Sequence, residues 1–552
     1  TFSATDTPNI NVVRLGDVDG DFDPSLITDH APILTGKTTL TVDENETTVS
    51  ILVGSDADGD TLTYSITGGV DKDLFSINES TGVLSFKAGP DYEDPSDAGF
   101  DNLYDVEISV SDGTNTTMQA LVVSIGDVGE TWIQRGASVY GKEACDNLGR
   151  MRISDDGNTL VVGMSKRIVG TGGILLDEAG NCTSSAPIVG GVRVFDWNGS
   201  SWSQRGDDFI GNNEDGTRDT NLGYARGISK DKNTIIIGAF LLGEDEDVRV
   251  WDWDSDNNTW KQRGMSITAD RPDGPDGPQS IYHGGEVSIS DNGNSIAVST
   301  PRAALPDEYL NGLTRVFDWD GNAWVQRGDT IWGKDFEYLG RNAQLSGDSN
   351  TIVISATFNS DNFQYGGAVY IYEWNGSAWV QRGNTIYGKQ QDELLGGYHG
   401  LIDIDDDITT IVIGSHQYKT NVDDPNPIGE IRVYDWDGND WVERSSTSTL
   451  EGSVETNIGY YVSLSADGNI LSTGSSGIDA KAFVYVWTNN QWVQRGTVPD
   501  LDTTNTTTYA SLSEDGKTIG VGGSYLSSDE NVVNDFNGLH QTGKISVFDW
   551  KE

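Results

Sequence analysis

The chain has few basic residues, and this shortage narrows its range of partners. Its 552 residues include 35 lysine and arginine residues against 86 aspartate and glutamate residues, for a formal net charge of −51. Such an excess of negative charge argues against a nucleic-acid backbone or an anionic membrane surface as a default partner. No run approaches the roughly 18 apolar residues of a membrane span, so no membrane insertion is expected.

Cysteine and histidine are also scarce, and familiar catalytic motifs are absent. Cys145 and Cys182 are the two cysteines. A bridge between them would close a loop of about 38 residues, and two unpaired thiols are the alternative. None of the five histidines sits in a spaced metal motif. The chain has no nucleophile elbow, phosphate loop or dinucleotide fingerprint, and we therefore expect it not to be an enzyme.

A tryptophan-bracketed hairpin, in contrast, recurs seven times. One copy, residues 195–206, reads Phe-Asp-Trp, then four residues including glycine, then Trp-Ser-Gln-Arg-Gly. The Trp-x-Gln-Arg-Gly half, degenerate in one copy, begins at Trp132, Trp202, Trp260, Trp324, Trp379, Trp441 and Trp492. The aromatic-Asp-Trp half ends at Trp197, Trp253, Trp319, Trp374, Trp436, Trp487 and Trp550. A β-type repeat of this length predicts a propeller.

The two halves of one hairpin lie at opposite ends of the repeat region. Trp132 opens with the second half alone, and Trp550 closes with the first half alone. A circular array explains both ends, whereas a linear solenoid needs capping repeats, which are not visible. The sequence therefore predicts an all-β chain with seven four-stranded blades, closed by pairing of residues 131–136 with 543–550.

The loops between the hairpins predict where the propeller binds. Between the tryptophan hairpins lies a second signature, an apolar–polar alternation followed by a turn and another β-rich run. At residues 151–163 the turn contains Asp-Gly, which is a strong hairpin signal. Because strand direction alternates, the short turns share one face and the long connections share the other. Irregular loops on a rigid scaffold usually carry binding, which points to a protein or glycan ligand on a cell surface. Examples of these long connections are residues 164–190, 264–284, 299–312 and 415–429.

The acid and arginine of the repeated hairpin look catalytic, but their spacing indicates a structural role. With a four-residue loop, Arg205 is the same-face diagonal neighbour of Asp196. A pair that recurs in nearly every blade stabilises the fold. The same offset predicts pairs at Asp318–Arg327, Glu373–Arg382, Asp435–Arg444 and Asp549–Arg135.

Residues 32–130 carry a different set of motifs. They lie at residues 42–45 (Val-Asp-Glu-Asn), 55–60 (Ser-Asp-Ala-Asp-Gly-Asp), 62–66, 75–77, 81–86, 90–94 (Pro-Asp-Tyr-Glu-Asp) and 104–113. In content and order these motifs resemble the cadherin-type domain of bacterial surface proteins, and the resemblance implies a β-sandwich.

The cadherin resemblance also implies Ca²⁺ as a cofactor, bound at junctions between consecutive domains. Carried over here, Asp56 and Asp58 face an upstream junction together with Asp29. At the downstream junction the resemblance implies Glu44, Asp91, Glu93 and Asp127. Oxygen-only sets of carboxylates suit this hard cation.

The N-terminal piece echoes the end of the cadherin-like domain. Residues 11–18 parallel residues 121–128, so residues 9–16 are interpreted as the final strand of a preceding domain, within a segment of residues 1–18. We expect the strand to pair with another molecule, with disorder and fold-back as alternatives. In the linker at residues 19–31 and just before it, alternating carboxylates suggest a further Ca²⁺ loop at Asp17, Asp19 and Asp21.

Three functions are consistent with this organisation. The propeller repeats at residues 131–552 loosely resemble those of integrin-α. The first hypothesis is a Ca²⁺-stabilised, non-enzymatic protein of the cell surface or extracellular space, used in adhesion, recognition or assembly. The second is a component of a virion or extracellular filament, polymerised through residues 9–16. The third is a propeller enzyme acting on polysaccharide. The chain does not begin with methionine and shows no signal peptide, so a processed product or fragment is expected.

Overall fold

A computed structural model gives the architecture of two compact units, of which the first ends at residue 130 and the second spans residues 131–551. No helix within the described ranges is long and apolar enough to cross a membrane. The structure describes residues 29–551 except 45, 93–94, 127–128, 130, 143–145, 147, 165–174, 177–181, 184–189, 211–221, 240–246, 269–282, 306–307, 398–400, 445–449, 455, 478–479, 500, 502–506 and 524–542.

The N-terminal unit is a β-sandwich. Its larger sheet has the strand order Thr39–Asp43, Thr116–Gly126, Leu103–Ser111 and Thr63–Gly68, with the first pair parallel and the others antiparallel. The smaller sheet has the order Thr48–Ile51, Val83–Phe86 and Phe75–Ile77. Ile33–Thr35 pairs with Val53–Ser55, and a 3₁₀ turn spans Lys72–Leu74.

Aromatic side chains fill the centre of this sandwich. Phe75 and Phe86 stack with ring centroids 4.4 Å apart, and Tyr104 meets Phe86 edge-on at 5.1 Å. Alternate residues of Leu103–Ser111 face inward, so that Tyr104, Val106 and Ile108 are fully buried. This period of two fixes which face of the strand packs on the opposite sheet.

The C-terminal unit contains seven four-stranded antiparallel sheets in its described part, which we number as blades in chain order. Each blade packs against the next, and the seventh packs against the first, so the ring is closed. The strands of the blades, from the innermost outward, are as follows: blade 1, Leu148–Ile153, Thr159–Met164, Gly191–Trp197, Trp202–Gln204; blade 2, Leu222–Ile228, Thr234–Ala239, Asp247–Asp254, Thr259–Gln262; blade 3, Glu286–Ile289, Ser295–Thr300, Leu313–Trp319, Trp324–Gln326; blade 4, Leu339–Leu345, Thr351–Ala356, Ala368–Trp374, Trp379–Gln381; blade 5, Ile402–Ile404, Thr410–Ser415, Glu430–Trp436, Trp441–Glu443; blade 6, Asn457–Leu464, Ile470–Ser476, Ala482–Thr488, Gln491–Gln494; blade 7, Thr508–Leu512, Thr518–Gly523, Lys544–Lys551, Thr131–Gln134.

Short two-residue strands extend most blades at the end away from the hairpin turns, where each pairs with the start of the third strand. A further pair, Leu175–Leu176 with Cys182–Thr183, lies within the connection of blade 1. The extensions are Val139–Tyr140, Phe209–Ile210, Ile267–Thr268, Ile331–Trp332, Ile386–Tyr387 and Leu450–Glu451.

The predicted closure of the ring is confirmed. Thr131–Gln134 pairs with the last strand, which places Trp132 directly opposite Trp550. Their ring centroids lie 5.2 Å apart, close to the spacing of the Trp197–Trp202 pair within blade 1. The chain therefore completes its last blade with a strand from the beginning of the propeller, as an array without edges requires.

The tryptophan hairpin repeats because it joins each blade to the next. In blade 3, Arg327 accepts at its backbone oxygen a hydrogen bond from Trp379 Nε1 of blade 4 at 3.1 Å. The Arg327 guanidinium lies 6.0 Å from the ring centre of Trp374 and donates to the Ser349 oxygen at 2.6 Å. Corresponding tryptophan-to-arginine hydrogen bonds start at Trp202, Trp260, Trp324, Trp441 and Trp132.

The glycine that ends the repeated motif permits this close approach. Gly328 has a φ of 71°, and a Cβ atom there would lie 2.6 Å from Trp374 of the next blade. We expect Gly328→Ala to lower the free energy of unfolding by about 1–2 kcal/mol through strain and overpacking. Chemical denaturation measures this change. Gly321→Ala is the control, because Gly321 also has a positive φ but meets no atom within 4 Å.

Candidate functional site

The first candidate site lies at one end of the N-terminal unit, where a turn follows strand Val53–Ser55. Asp56 Oδ1 accepts hydrogen bonds from the backbone nitrogens of Asp58, Gly59 and Asp60 at 2.7–3.3 Å. These bonds curl the chain around Asp56, so the Ser-Asp-Ala-Asp-Gly-Asp motif brings its three carboxylates to one turn. The cadherin resemblance assigned Asp56 and Asp58 to the upstream calcium junction, and the geometry of the turn adds Asp60.

Two other segments bring carboxylates to the same turn. Asp112 follows strand Leu103–Ser111, and its Oδ1 accepts from Thr114 and Asn115 nitrogens at 2.7 and 2.6 Å. The side chain of Asn115 donates to Asp29 Oδ2 at 3.0 Å, which ties Asp29 to this loop. We call Asp29, Asp56, Asp58, Asp60 and Asp112 the N-terminal carboxylate cluster.

The electrostatics of the cluster confirm that its members are close. Desolvation, followed by the charges of Asp56, Asp29, Asp112 and Asp58, raises the pKa of Asp60 above its ordinary value. Like charges held together in this way disfavour ionisation until a cation neutralises them.

Hydrogen bonds lower the pKa values of two other members of the cluster. The backbone nitrogen and ring of His30 hydrogen-bond to Asp58 and lower the pKa of that carboxyl. The pKa of Asp112 is lowered by the backbone of Asn115.

Two oxygens of the N-terminal carboxylate cluster are buried without a hydrogen-bond partner among the described residues. They are Asp56 Oδ2 and Asp112 Oδ2. Other buried carboxylates of the same unit are satisfied by backbone nitrogens: Asp71 binds those of Ala98 and Asp105 at 2.7 and 2.8 Å. A buried acceptor without a partner is costly, so both oxygens retain the capacity to accept a further bond.

At the downstream end, only part of the predicted ligand set lies in the described ranges. Glu44 is 3% exposed, and its Oε2 accepts from the backbone nitrogen of Tyr92 at 3.0 Å. Glu44 thus lies beside the segment that contains Asp91. Glu93, Asp127, Asp17, Asp19 and Asp21 lie outside the described residues. No three histidine, cysteine or acidic residues in the described part already form a group that could hold a metal ion.

The repeated acid–arginine pairs of the propeller are structural, as the sequence predicted. Arg205 Nε and Nη2 donate to Asp196 oxygens at 2.5 and 2.6 Å. The prediction is wrong for Glu373 and Arg382, whose guanidinium instead lies 4.6 Å from the Trp436 ring centre. The side chain of Glu373 is exposed on its strand. The other confirmed pairs are Asp318–Arg327, Asp435–Arg444 and Asp549–Arg135.

The described histidines and cysteines show no catalytic arrangement. His283 is buried, with its ring nitrogens 2.8 Å from Thr300 Oγ1 and 3.0 Å from the Ile267 oxygen. Burial lowers the pKa of His416 to about 4, so this residue is neutral at physiological pH. The expected choice between a disulfide and two free thiols falls on side chains outside the described part.

The second candidate site is the central channel of the propeller, which the sequence did not predict. The turn after each innermost strand places one residue at the mouth of the channel, and backbone hydrogen bonds join five of the seven neighbouring pairs of these residues. Together they form what we call the channel ring. Its members are Asp155, Lys230, Asp291, Gly347, Asp406, Ala466 and Glu514, in blade order.

Lys230 is the single cation of the channel ring. Its ammonium lies 2.7 Å from Glu514, 3.1 Å from Asp406 and 3.9 Å from Asp291. These partners raise the pKa of Lys230 against the opposing effect of burial. Burial, and then the charge of Glu514, raise the pKa of Asp155 to about 7. The ring thus lines a polar cavity of about 130 Å³, together with Arg152 and Arg226, and Lys230 is the counter-ion within the ring itself.

Comparisons with known proteins agree with this architecture. Residues 29–124 match the family model described as Bacterial Ig domain. This confirms an Ig-like β-sandwich for the N-terminal unit, which we now call the Ig-like domain. No curated protein matches the chain.

Several solved structures are similar to this chain. They include the mitotic checkpoint complex (10% identity, 77% of this chain and 94% of that chain, TM-score 0.45). They also include the C-terminal WD40 domain of Sif2 (10%, 77% and 99%, TM-score 0.40). A periplasmic gluconolactonase of Pseudomonas aeruginosa is a third (11%, 72% and 93%, TM-score 0.40). At TM-scores below 0.5, the propeller assignment rests on the sheet topology described above.

Proposed function

We propose that the protein is a surface or extracellular binding protein in which Ca²⁺ stabilises the Ig-like domain and the propeller recognises a ligand. The proposal includes the narrower cadherin resemblance of residues 32–130. Propellers and Ig-like sandwiches serve many functions, including catalysis, so the proposal rests on particular residues and not on the fold.

The buried oxygens of Asp56 and Asp112 carry the calcium part of the proposal. Ca²⁺ takes six to eight oxygen ligands at about 2.3–2.6 Å. The N-terminal carboxylate cluster supplies oxygens from five side chains on three segments, and a bound cation would relieve the like-charge repulsion among them. Because no metal group is preformed in the described residues, binding would draw the three segments together and stiffen this end of the domain.

Calcium binding should raise the stability of the Ig-like domain specifically. A ligand that binds only the folded state at 100 times its Kd adds about 2.7 kcal/mol. We expect millimolar Ca²⁺ to raise the temperature of one calorimetric transition of the full chain relative to EDTA. Asp56→Asn and Asp112→Asn should each abolish most of this shift.

The matched control for calcium binding is Asp73→Asn. Asp73 is an exposed carboxylate of the 3₁₀ turn, at the opposite end of strand Thr63–Gly68 from Asp112. This variant should keep the full calcium shift. An identical thermogram in Ca²⁺ and EDTA, or equal shifts in all three variants, would refute the calcium part of the proposal.

The closed ring supports the recognition part of the proposal. Structural contacts repeat in the blades, whereas the channel ring carries different residues in different blades. The equivalent contacts between blades keep the scaffold rigid. The residues at the axis and in the long connections can therefore differ from blade to blade without loss of the fold. Such positions are where binding residues usually lie.

A further inference from the structure

Three arginines lie close together inside the propeller channel. Arg150 and Arg152 come from the innermost strand of blade 1, and Arg226 comes from that of blade 2. Arg226 donates to the backbone oxygens of Val161 and Gly223 at 3.2 and 3.1 Å, which fixes it at the boundary between the two blades. Burial, together with the positive charges of Arg150 and Arg152, lowers the pKa of Arg226 to about 9.

Aromatic rings hold one of these arginines in place. The Arg150 guanidinium lies 5.7 Å from the ring centre of Tyr461 and 5.5 Å from that of Tyr509. The two tyrosine rings meet edge-to-face at 4.5 Å. A planar guanidinium that packs against aromatic rings is pre-organised, so it loses little entropy when it binds a planar or tetrahedral oxyanion.

Two carboxylates face the three arginines. Asp403 Oδ2 accepts from the Leu464 nitrogen at 2.9 Å and interacts with Arg152. Glu286 interacts with all three arginines, yet burial raises the pKa of Glu286 to about 7. Near neutral pH, part of the population therefore carries a protonated Glu286, which reduces the negative charge opposite the arginines and provides a hydrogen-bond donor.

We call Arg150, Arg152 and Arg226 the arginine layer. Arg152 and Arg226 line the same polar cavity as the channel ring. Arg152 spans the channel, and its Nη2 donates to Gln344 Oε1 of blade 4 at 3.1 Å. Arg150 lies two residues further from the channel ring on the same strand, which corresponds to about 6–7 Å. Arg150 and both tyrosines are half-buried, and Arg152 and Arg226 border the cavity of about 130 Å³, which gives a small ligand space beside the layer.

We propose that the arginine layer of the channel binds an oxyanion, held by Arg150 and Arg226 with Glu286 facing it. A carboxylate or sulfate group of an acidic sugar has the required chemistry, because guanidinium groups bind both in a forked geometry. Over the whole chain the charge is −51, but at physiological salt it is screened beyond about 8 Å. Local charge in the channel therefore decides binding. This oxyanion site rests on the proposed recognition function and gives the propeller's ligand a chemical class.

Titration calorimetry of the full chain tests this site, with sodium glucuronate, sodium sulfate and uncharged glucose at constant ionic strength. We expect an oxyanion to bind and glucose not to bind. Glucuronate alone would identify a carboxylate as the ligand group, and sulfate alone a sulfate. Arg150→Gln should weaken binding at least about tenfold, in line with the loss of a charge-assisted hydrogen bond. Lys261→Gln, at an exposed lysine of the outer strand, should leave affinity unchanged.

A second variant tests the proposal even if Arg150→Gln does not fold. Glu286→Gln removes the competing carboxylate and keeps the side-chain shape, so it should tighten oxyanion binding severalfold at pH 8. Binding to the unaltered protein should also strengthen between pH 8 and pH 6, as Glu286 takes up a proton opposite Arg150, Arg152 and Arg226.

Three results would overturn the oxyanion site. They are binding of neither anion to the unaltered protein, equal binding by Arg150→Gln, or weaker binding by Glu286→Gln. Running every titration in both Ca²⁺ and EDTA separates this proposal from the calcium one. If Ca²⁺ does not raise the melting temperature of the Ig-like domain, the affinities of the channel variants for the oxyanion can still be compared.

Discussion

Replacing Trp132 by alanine is expected to lower the melting temperature of the entire propeller. Trp132 is 3% exposed, packs on Trp550 and donates from Nε1 to the Arg495 oxygen at 2.8 Å. Truncation of a buried tryptophan costs about 3–5 kcal/mol. Because Thr131–Gln134 is the strand that closes the ring, the loss acts on the joint between the two ends of the array. Calorimetry of the full chain measures it.

Ile133→Ala is the control for the Trp132 variant. Ile133 is the next residue of the same strand and is 48% exposed, so its truncation should change the free energy of unfolding by less than about 1 kcal/mol. Equal effects of the two substitutions would show that the closing strand contributes through its backbone alone. If the Trp132 variant lowers the melting temperature of only a small part of the calorimetric unfolding transition, the ring does not unfold as one cooperative unit.

Lys230→Met should destabilise the propeller strongly at alkaline pH. The substitution leaves Asp155, Asp291, Asp406 and Glu514 facing one another without their cation. Loss of one partner costs about 3–5 kcal/mol for a buried ion pair and about 0–1 kcal/mol for an exposed one. With its side chain 43% exposed, Lys230 lies between these cases, and we expect about 2–3 kcal/mol at pH 8.

The pH dependence of this loss has a defined sign. The pKa of Asp155 is raised to about 7 in the folded chain, against about 4 when unfolded. The folded state therefore holds the extra proton between these values, and stability falls as pH rises through this window. In Lys230→Met, protonation of the ring near pH 5 should recover most of the loss. Urea denaturation at pH 5 and pH 8 measures the difference, with Lys261→Met as control.

A Lys230 variant whose deficit is equal at pH 5 and pH 8 would contradict an electrostatic role for the lysine. It would indicate that only the packing of the lysine side chain matters. Asp155→Asn provides an independent check, because it removes the carboxylate whose ionisation is disfavoured. That variant should be more stable than the unaltered protein at pH 8 and no more stable at pH 5.

The blades could be predicted from the sequence because every blade repeats the same local chemistry. Trp202, Gln204 and Arg205 each make contacts whose equivalents recur around the ring, so their spacing alone indicates a hairpin and its partner. The Asp196–Arg205 pair followed from strand geometry. The Glu373–Arg382 pair did not form, because one extra methylene changes where a carboxylate reaches.

The channel could not be predicted because its residues come from seven separate segments and share no motif. Arg150, Glu286 and Tyr461 depart from the repeated pattern. In the sequence alone, such departures cannot be distinguished from neutral variation between repeats. Only the closed ring brings them to one axis. In the Ig-like domain, Asp60 and Asp112 were visible as motif residues, but turn geometry was needed to show that they join Asp56.

The strand that completes the last blade also constrains how the protein is made. Thr131–Gln134 is synthesised before any other strand of the propeller, yet its partner, Lys544–Lys551, is the last to be synthesised. During translation the early strand has no partner, and blade 7 cannot form until Lys544–Lys551 has been synthesised. Until then the propeller exposes two unpaired sheet edges, which promote aggregation. Closure of the ring therefore reports that every blade of the propeller has been made.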